Sequence, residues 1–343
     1  MRSNAILRTV AVALSLCAAS CSKSSSDSPS TKAPTPVASS ITRLDPALDS
    51  LIAADAKVEK IAGGFKFVEG PLWRPSGVLW FSDLVGNIAY QWGPDGKVTE
   101  VLKPGGYDKS DAPAGAYIGP NGQAAGPENT VTLCQHGNRR IVTISGDKKV
   151  TMLVDRFEGK RLNSPNDVVY MPDGALYFTD PPFGLPKMDA DPAKELKFNG
   201  VFRFSKGKLE PVVKDLSTPN GIAFSPDFKT LYISVSDKRL WMRYDVAQNG
   251  QVANGRVLLD ASSAPEQDVP DGMKVDSLGN IYAAGPGGIW VIAPDGKHLG
   301  TIRVPEPPSN CNWGDDGKAL YITAVTGVYR IRLNVAGEKA VYN

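Results

Sequence analysis

Short runs of β-branched and aromatic residues alternate with polar turns along most of this chain. Between residues 159 and 180, for example, two such runs, residues 168–170 and 176–178, flank the turn sequence Pro-Asp-Gly at 172–174. Runs of this kind predict strands, and Pro followed by Asp-Gly predicts a tight turn between them. No long stretch places its apolar residues at helical spacing. The pattern therefore predicts an all-β protein.

The same unit of loop, strand, turn and strand occurs six times, and a polar residue precedes each first strand. We call these six the lead residues: Glu69, Asn121, Asn166, Asn220, Asp271 and Asn310. The intervals between them are 52, 45, 54, 51 and 39 residues. Repeats of this length with several short strands predict a six-bladed β-propeller. Its ring must also close, and residues 57–61 and residues 339–342 are the two candidates for the last strand of blade six.

A propeller brings the lead residues together at one mouth of its central channel, although they are far apart in sequence. The carboxylates of Glu69 and Asp271 and the amides of Asn166 and Asn220 are hard oxygen donors, which suit Ca²⁺, Mg²⁺ or Mn²⁺. Two carboxylates also balance the charge of one divalent cation, so the site can be buried.

A simpler interpretation is that Asn and Asp before a strand are turn residues that bond to their own backbone. Glu69 argues against it, because Glu is a poor turn residue and yet occupies the same position in its repeat. Convergence on a channel is therefore the preferred interpretation.

Composition adds two constraints. The net charge is +2, and no basic patch alternates with aromatic residues, which argues against nucleic acid as a partner. Beyond residue 21 the only cysteines are Cys134 and Cys311, which are far apart and lie in β-rich runs. They are predicted to be buried and unpaired rather than part of a disulfide framework.

The N-terminal residues are predicted to serve export rather than folding. Residues 1–20 contain a positive start and a short apolar run, and Cys21 follows small residues, as in a bacterial lipobox. We expect a lipoprotein-type signal peptide, lipidation at Cys21 and a Ser/Pro-rich disordered tether over residues 21–45. The propeller then spans residues 46–343. An ordinary signal peptide is the alternative. The expected location is the periplasmic face of the outer membrane, held by the lipid alone.

Several of these stretches resemble the SMP-30/gluconolactonase/LRE-like family, in its bacterial branch. They are Glu-Gly-Pro-Leu-Trp at 69–73, Asn-Asp at 166–167, Pro-Asn-Gly at 219–221 and Pro-Asp-Gly-Met at 270–273. The resemblance covers residues 67–331. It implies a six-bladed propeller with one divalent cation in the channel and the hydrolysis of lactones, while distant relatives hydrolyse organophosphate esters.

The resemblance also implies roles for single residues. Glu69, Asn166, Asn220 and Asp271 match the metal ligands of the family, and Asp271 matches its proposed base. The cation is expected to be Ca²⁺, with Mg²⁺, Mn²⁺ or Zn²⁺ as alternatives. It would stabilise the oxyanion formed from a lactone or ester while Asp271 takes a proton from water.

Four further residues are candidate substrate contacts: Asn121, Arg161, Asn163 and His136. Arg161 is included because Ser164 stands where the animal enzymes of the family have an arginine. His136 follows the second inner strand and lies either in the channel or in a loop.

Two other functions remain open at this point. A propeller with a purely structural metal could bind a sugar acid without catalysis, because fold alone does not fix function. The same cation could also serve a phosphotriester or aryl-ester hydrolase. No Gly-x-Ser-x-Gly sequence indicates a serine nucleophile.

The lipid anchor can be tested directly. Replacement of Cys21 by Ala removes the residue that would carry the lipid, so the protein should move from the membrane fraction to the soluble periplasmic fraction. Fractionation followed by immunoblotting measures this. Unchanged membrane association of Cys21→Ala would show that the anchor lies elsewhere.

Overall fold

Six antiparallel sheets surround a central channel in the computed structural model, which describes residues 34–38, 40–113 and 115–342. Within each sheet, strands that follow one another in sequence are hydrogen-bonded neighbours, from the channel outward. The six sheets are the blades of a β-propeller, which confirms the fold predicted from the repeat.

Blades one to three are each built from four consecutive strands. Blade one contains Val68–Arg74, Val78–Asp83, Ile88–Trp92 and Val98–Leu102. Blade two contains Pro120–Ala125, Val131–Gln135, Arg140–Ile144 and Val150–Val154. Blade three contains Val168–Tyr170, Leu176–Asp180, Asn199–Ser205 and Lys208–Leu216. A small hairpin, Arg156–Phe157 with Lys160–Arg161, lies between blades two and three.

Blade four has the same plan, and blades five and six each gain a strand from the N-terminal part of the chain. Blade four contains Pro219–Phe224, Thr230–Val235, Leu240–Val246 and Val252–Asp260. Blade five contains Met273–Val275, Ile281–Gly285, Gly288–Ile292, His298–Arg303 and Ser40–Arg43. Blade six contains Pro308–Gly314, Ala319–Ala324, Gly327–Arg332, Val58–Gly63 and Thr35–Pro36. The short helices are Leu48–Leu51, Pro127–Asn129 and Met188–Ala190.

The ring is closed from the N-terminal side. Val58–Gly63 pairs antiparallel with Gly327–Arg332 and so completes blade six. This settles the choice between the two closing segments in favour of residues 57–61. Residues 339–342 form no strand.

The predicted tether ends earlier than expected. Ser40–Arg43 is a strand that pairs with His298–Arg303, and Ile41 packs against the core between blades five and six. The boundary at residue 45 is therefore wrong, because these few residues gain backbone hydrogen bonds and burial that their composition does not reveal. The predicted signal peptide and the lipidation at Cys21 lie outside the described residues. In the described part of the chain, no helix is long and apolar enough to cross a membrane.

The core consists of six apolar clusters, each of which fills the space between two neighbouring blades. Phe81 of blade one, for example, packs with Tyr321 of blade six. Cys134 and Cys311 are buried in two of these clusters and are unpaired, as predicted.

The C-terminal tail, residues 338–342, lies at the end of the channel away from the lead residues. Four of these residues, 338–341, line a cavity of about 120 Å³. Its other walls include residues that follow the lead residue on each of the six inner strands. The Tyr342 ring packs edge-on against Tyr170, with 4.9 Å between the ring centroids. The tail therefore covers the far mouth of the channel.

Four of the six lead residues are followed by glycine, and the packing explains why. A Cβ atom on Gly122 would lie 2.5 Å from the carbonyl oxygen of Asn166, and one on Gly221 would lie 2.3 Å from that of Asp271. Only glycine allows the inner strands of adjacent blades to approach this closely around the channel.

Replacement of Gly221 by Ala tests this close approach. The added Cβ would collide with backbone atoms of blade five, so the free energy of unfolding should fall by about 1–3 kcal/mol. Gly146→Ala is the matched control, because nothing lies within 4 Å of its Cβ position. Thermal unfolding measures both variants. Equal melting temperatures for the two would contradict the close-approach argument.

Candidate active site

The six lead side chains meet at one mouth of the channel, where they form a ring that hydrogen bonds join in two groups. The Asn121 amide donates to Asn166 Oδ1 at 3.0 Å, and the Asn166 amide donates to Asn220 Oδ1 at 3.0 Å. On the other side, the Asn310 amide donates to Glu69 Oε2 at 3.0 Å. The convergence predicted from the repeat is therefore present in the structure.

Blades one to four each hold the backbone of the next lead residue, and blades five and six hold the residue just before it. In three blades the donor is a fully buried hydroxyl at the penultimate position of the second strand. The three bonds are Ser82 to the Asn121 carbonyl at 2.7 Å, Thr179 to that of Asn220 at 2.6 Å, and Ser234 to that of Asp271 at 2.5 Å.

Where this position carries no hydroxyl, a backbone N–H takes over the contact. Cys134 and Ala284 occupy it in blades two and five, and there the N–H of Gly122 donates to Asn166 and that of Gly272 donates to Ser309. The sequence analysis did not identify these contacts. A Ser or Thr one residue before the end of the second strand is the signal that could have revealed them.

Glu69 and Asp271 are the two carboxylates of the ring, and their environment disfavours their charged forms. Desolvation raises the pKa of Glu69 to about 7, with the Asp167 carboxylate adding to the shift. Desolvation also raises the pKa of Asp271 well above its usual range, followed by repulsion from Glu69 and Asp167. Asp271 nevertheless keeps part of its surface accessible, whereas Glu69 is buried. In the described residues, neither carboxylate takes part in an ion pair with a basic side chain.

A third carboxylate, Asp167, lies next to the ring and was not identified as a site residue from the sequence. It is buried, and its Oδ1 accepts a hydrogen bond from the N–H of Val168 at 2.8 Å. Its Oδ2 lies 3.8 Å from Nζ of Lys274, which also donates to the Met273 carbonyl at 2.9 Å. Asp167 and Lys274 therefore form a charge pair close to Glu69 and Asp271.

The oxygen donors of the ring suit a hard divalent cation. Two carboxylates stand beside amide oxygens, and Asn121 Oδ1 is a buried acceptor without a hydrogen-bond donor. Within the described residues, no group of three or more His, Cys, Asp or Glu side chains is placed to hold a metal. A cation here would therefore depend on amide oxygens as well as carboxylates.

His136 lies beside the ring. Its side chain is buried, and Nε2 is 3.4 Å from Nδ2 of Asn121. Burial lowers the pKa of His136 to about 3, and the nearby Ser164 backbone opposes part of the shift. The imidazole is therefore neutral at ordinary pH and supports Asn121 rather than adding a charge.

The other two candidate substrate contacts do not bond to the ring. Asn163 is fully buried, and its amide donates to the carbonyls of Asp180 and Phe198 and to Asn199 Oδ1. It stabilises the loop that leads to Asn166, and its contact with substrate stays a prediction. Arg161 donates to the carbonyl of Asn138 at 3.0 Å, and its contact with substrate stays a prediction.

Asp180 also stabilises the loop that leads to Asn166. Its carboxylate accepts the backbone N–H of Asn163 at 2.7 Å and that of Ser164 at 2.8 Å. Burial raises the pKa of Asp180 to about 7, against the lowering effect of these two hydrogen bonds.

Comparisons with known proteins agree with this geometry. The family model for the SMP-30/gluconolactonase/LRE-like region matches residues 67–326. A gluconolactonase from Zymomonas mobilis is 39% identical over 312 residues, which cover 87% of each chain. A regucalcin from Xenopus laevis is 27% identical over 76% of this chain and 83% of its own. The solved structure of a gluconolactonase from Xanthomonas campestris superposes with a TM-score of 0.77 at 30% identity, over 89% of this chain and 98% of that one.

The raised pKa of Asp180 predicts a pH dependence of stability. In the unfolded chain Asp180 releases its proton near pH 3.8, whereas in the folded protein it keeps the proton up to about pH 7. The free energy of unfolding should therefore decrease as the pH rises from about 4 to 7. Asp180→Asn removes this titration. The melting temperature of the wild type relative to the variant should therefore fall between pH 5 and pH 8. A constant difference across that range would contradict the assignment.

Proposed function

Because the chain belongs to the SMP-30/gluconolactonase/LRE-like family, we propose that it is a lactone hydrolase that opens a sugar lactone and uses one divalent cation. The identity to the Zymomonas gluconolactonase over most of both chains supports the lactone as substrate. The ring of oxygen donors around Glu69 and Asp271 is the observation that supports the cation.

The residues proposed to hold the cation are Glu69, Asn166, Asn220 and Asp271. Burial and mutual repulsion raise the pKa values of the two carboxylates, so in the protein alone these groups favour their protonated forms. A divalent cation would favour the ionised forms by placing opposite charge in direct contact with both carboxylates, since neither forms an ion pair with a basic side chain in the described residues. Ca²⁺ is the first candidate, since it accepts both carboxylate and amide oxygens.

When bound, such a cation would polarise the lactone carbonyl and stabilise the negative charge that develops on its oxygen. Asp271 is the proposed base, because it is the ring carboxylate with accessible surface. Its carboxylate would take a proton from the water that attacks the carbonyl carbon. The Asn220 side chain and the Gly272 backbone oppose part of the rise in the pKa of Asp271 and so favour its ionised form.

Asn121 and His136 are proposed to bind the sugar. Asn121 Oδ1 is a buried acceptor that a sugar hydroxyl could satisfy, and leaving such an acceptor unpaired is costly. The neutral imidazole of His136 lies next to the Asn121 amide. Replacement of a sugar hydroxyl by hydrogen would therefore weaken binding if this contact is formed.

Two isosteric variants test whether Asp271 acts as the base while Glu69 acts mainly as a cation ligand. Asp271→Asn keeps the shape and one oxygen donor but removes the base, so kcat for a sugar lactone should fall roughly 10²–10⁴-fold. Its melting temperature should change little. Glu69→Gln should weaken cation affinity first, and excess Ca²⁺ should restore part of its activity. Titration calorimetry and lactone hydrolysis by pH-stat measure both effects.

Two controls complete this experiment. Asp95→Asn and Glu210→Gln make the same chemical changes at carboxylates that pair with exposed lysines, away from the ring, and should leave activity unchanged. Treatment of the wild type with EDTA should abolish hydrolysis, and added Ca²⁺ should restore it. Near-normal turnover of Asp271→Asn at saturating Ca²⁺ would exclude Asp271 as the base. Faster hydrolysis of a phosphotriester than of any lactone in a matched panel would assign the site to the other reaction.

A further inference from the structure

The charges around the ring do not stop at its two carboxylates. Asp167 directly follows the ring residue Asn166, and its Oδ1 would lie 2.7 Å from a Cβ on Gly122, which follows the ring residue Asn121, so a third carboxylate stands beside Glu69 and Asp271. A single divalent cation balances only two of them. Burial makes an unbalanced charge costly, so the third carboxylate requires a partner within the protein.

Lys274 is that partner. Its ammonium lies 3.8 Å from Asp167 Oδ2. Lys274 belongs to the inner strand Met273–Val275, three residues beyond Asp271, and it lines the cavity that the C-terminal tail closes. The ammonium is held in place by the Met273 carbonyl.

We propose that Lys274 is a built-in monovalent counter-ion, which reduces the charge of the three-carboxylate cluster to the value that one divalent cation neutralises. The inference rests on the proposed cation site and adds a residue that sets its charge selectivity. Lys274 is a positioning residue in this scheme, because it acts through Asp167 and not on the substrate.

If Lys274 is the counter-ion, removing its charge and removing the charge of Asp167 should change the net charge of the cluster in opposite directions. Lys274→Met removes the ammonium with little change in side-chain length and leaves three negative charges, which a trivalent ion matches better. Asp167→Asn removes one carboxylate and leaves too little negative charge for a divalent ion. In the double variant the two changes cancel, and the cluster again carries two negative charges.

Titrations with Ca²⁺ and Tb³⁺ distinguish these cases. In Lys274→Met, the affinity for Tb³⁺ relative to Ca²⁺ should rise by roughly tenfold or more, because the interaction with a buried charge scales with the charge of the ion. In Asp167→Asn, Ca²⁺ affinity should fall by a similar factor. The double variant should return to within about threefold of the wild type for both ions, because the two sites are coupled. Calorimetry measures Ca²⁺ binding, and sensitised Tb³⁺ luminescence provides a second readout.

A surface pair of the same residue types serves as the matched control. Lys97 and Asp95 form an ion pair at 3.1 Å with exposed side chains. Lys97→Met, Asp95→Asn and their combination should leave both affinities unchanged. Unfolding curves in EDTA check that every variant is folded, and if Lys274→Met is not, Asp167→Asn and the double variant decide the result.

The outcomes separate the two proposals. If the wild type binds Ca²⁺ but the two single effects add in the double variant instead of cancelling, Lys274 is not the counter-ion. An equal change for both ions in Lys274→Met likewise overturns the inference, since it indicates a loss of packing and not of charge. If the wild type binds neither ion, the proposed cation site itself is wrong, and this inference is overturned with it.

Discussion

The close approach of adjacent inner strands is the constraint on which this structure depends. Every inner strand must lie near the channel axis, where there is no room for a Cβ after most of the lead residues. The same approach brings four lead carbonyls within hydrogen-bond reach of the preceding blade, through the hydroxyls of Ser82, Thr179 and Ser234 and the N–H of Gly122. The lead side chains therefore project from a backbone that is fixed on both sides, which preorganises the ring.

This close packing has an electrostatic consequence. Glu69, Asp167 and Asp271 are brought together at the channel, and burial raises the pKa values of Glu69 and Asp271. A purely structural arrangement would gain nothing from such a cluster, because hydrophobic residues of similar volume are often as stable. The cluster is explained if its unfavourable charge is balanced when a cation binds, which is how functional sites commonly differ from the rest of a fold.

The fold was predictable because its signals repeat. Six lead residues in register revealed the blades, and the Asn-Gly and Asp-Gly pairs marked the close approach. The site was predictable only where it follows the repeat. Asp167 stands where other blades have glycine, and Lys274 follows its lead residue by three positions, so their pairing depends on the geometry of two different blades. The strand Ser40–Arg43 was missed for the same reason, since its partner, His298–Arg303, is remote in sequence.

The two ends of the chain have different roles at the two ends of the channel. Val58–Gly63 closes blade six by backbone pairing, so the C-terminal residues are not needed to close the propeller. They instead cover the far mouth, where Val341 and Tyr342 pack against the core between blades two and three. Reagents would then reach the ring from the side of the lead residues, and Lys274, whose side chain is 21% exposed, lines the cavity under the tail. Dissolved salt screens a partly buried ammonium less than it screens a surface charge, so part of the contribution of Lys274 to the ring would persist at high ionic strength.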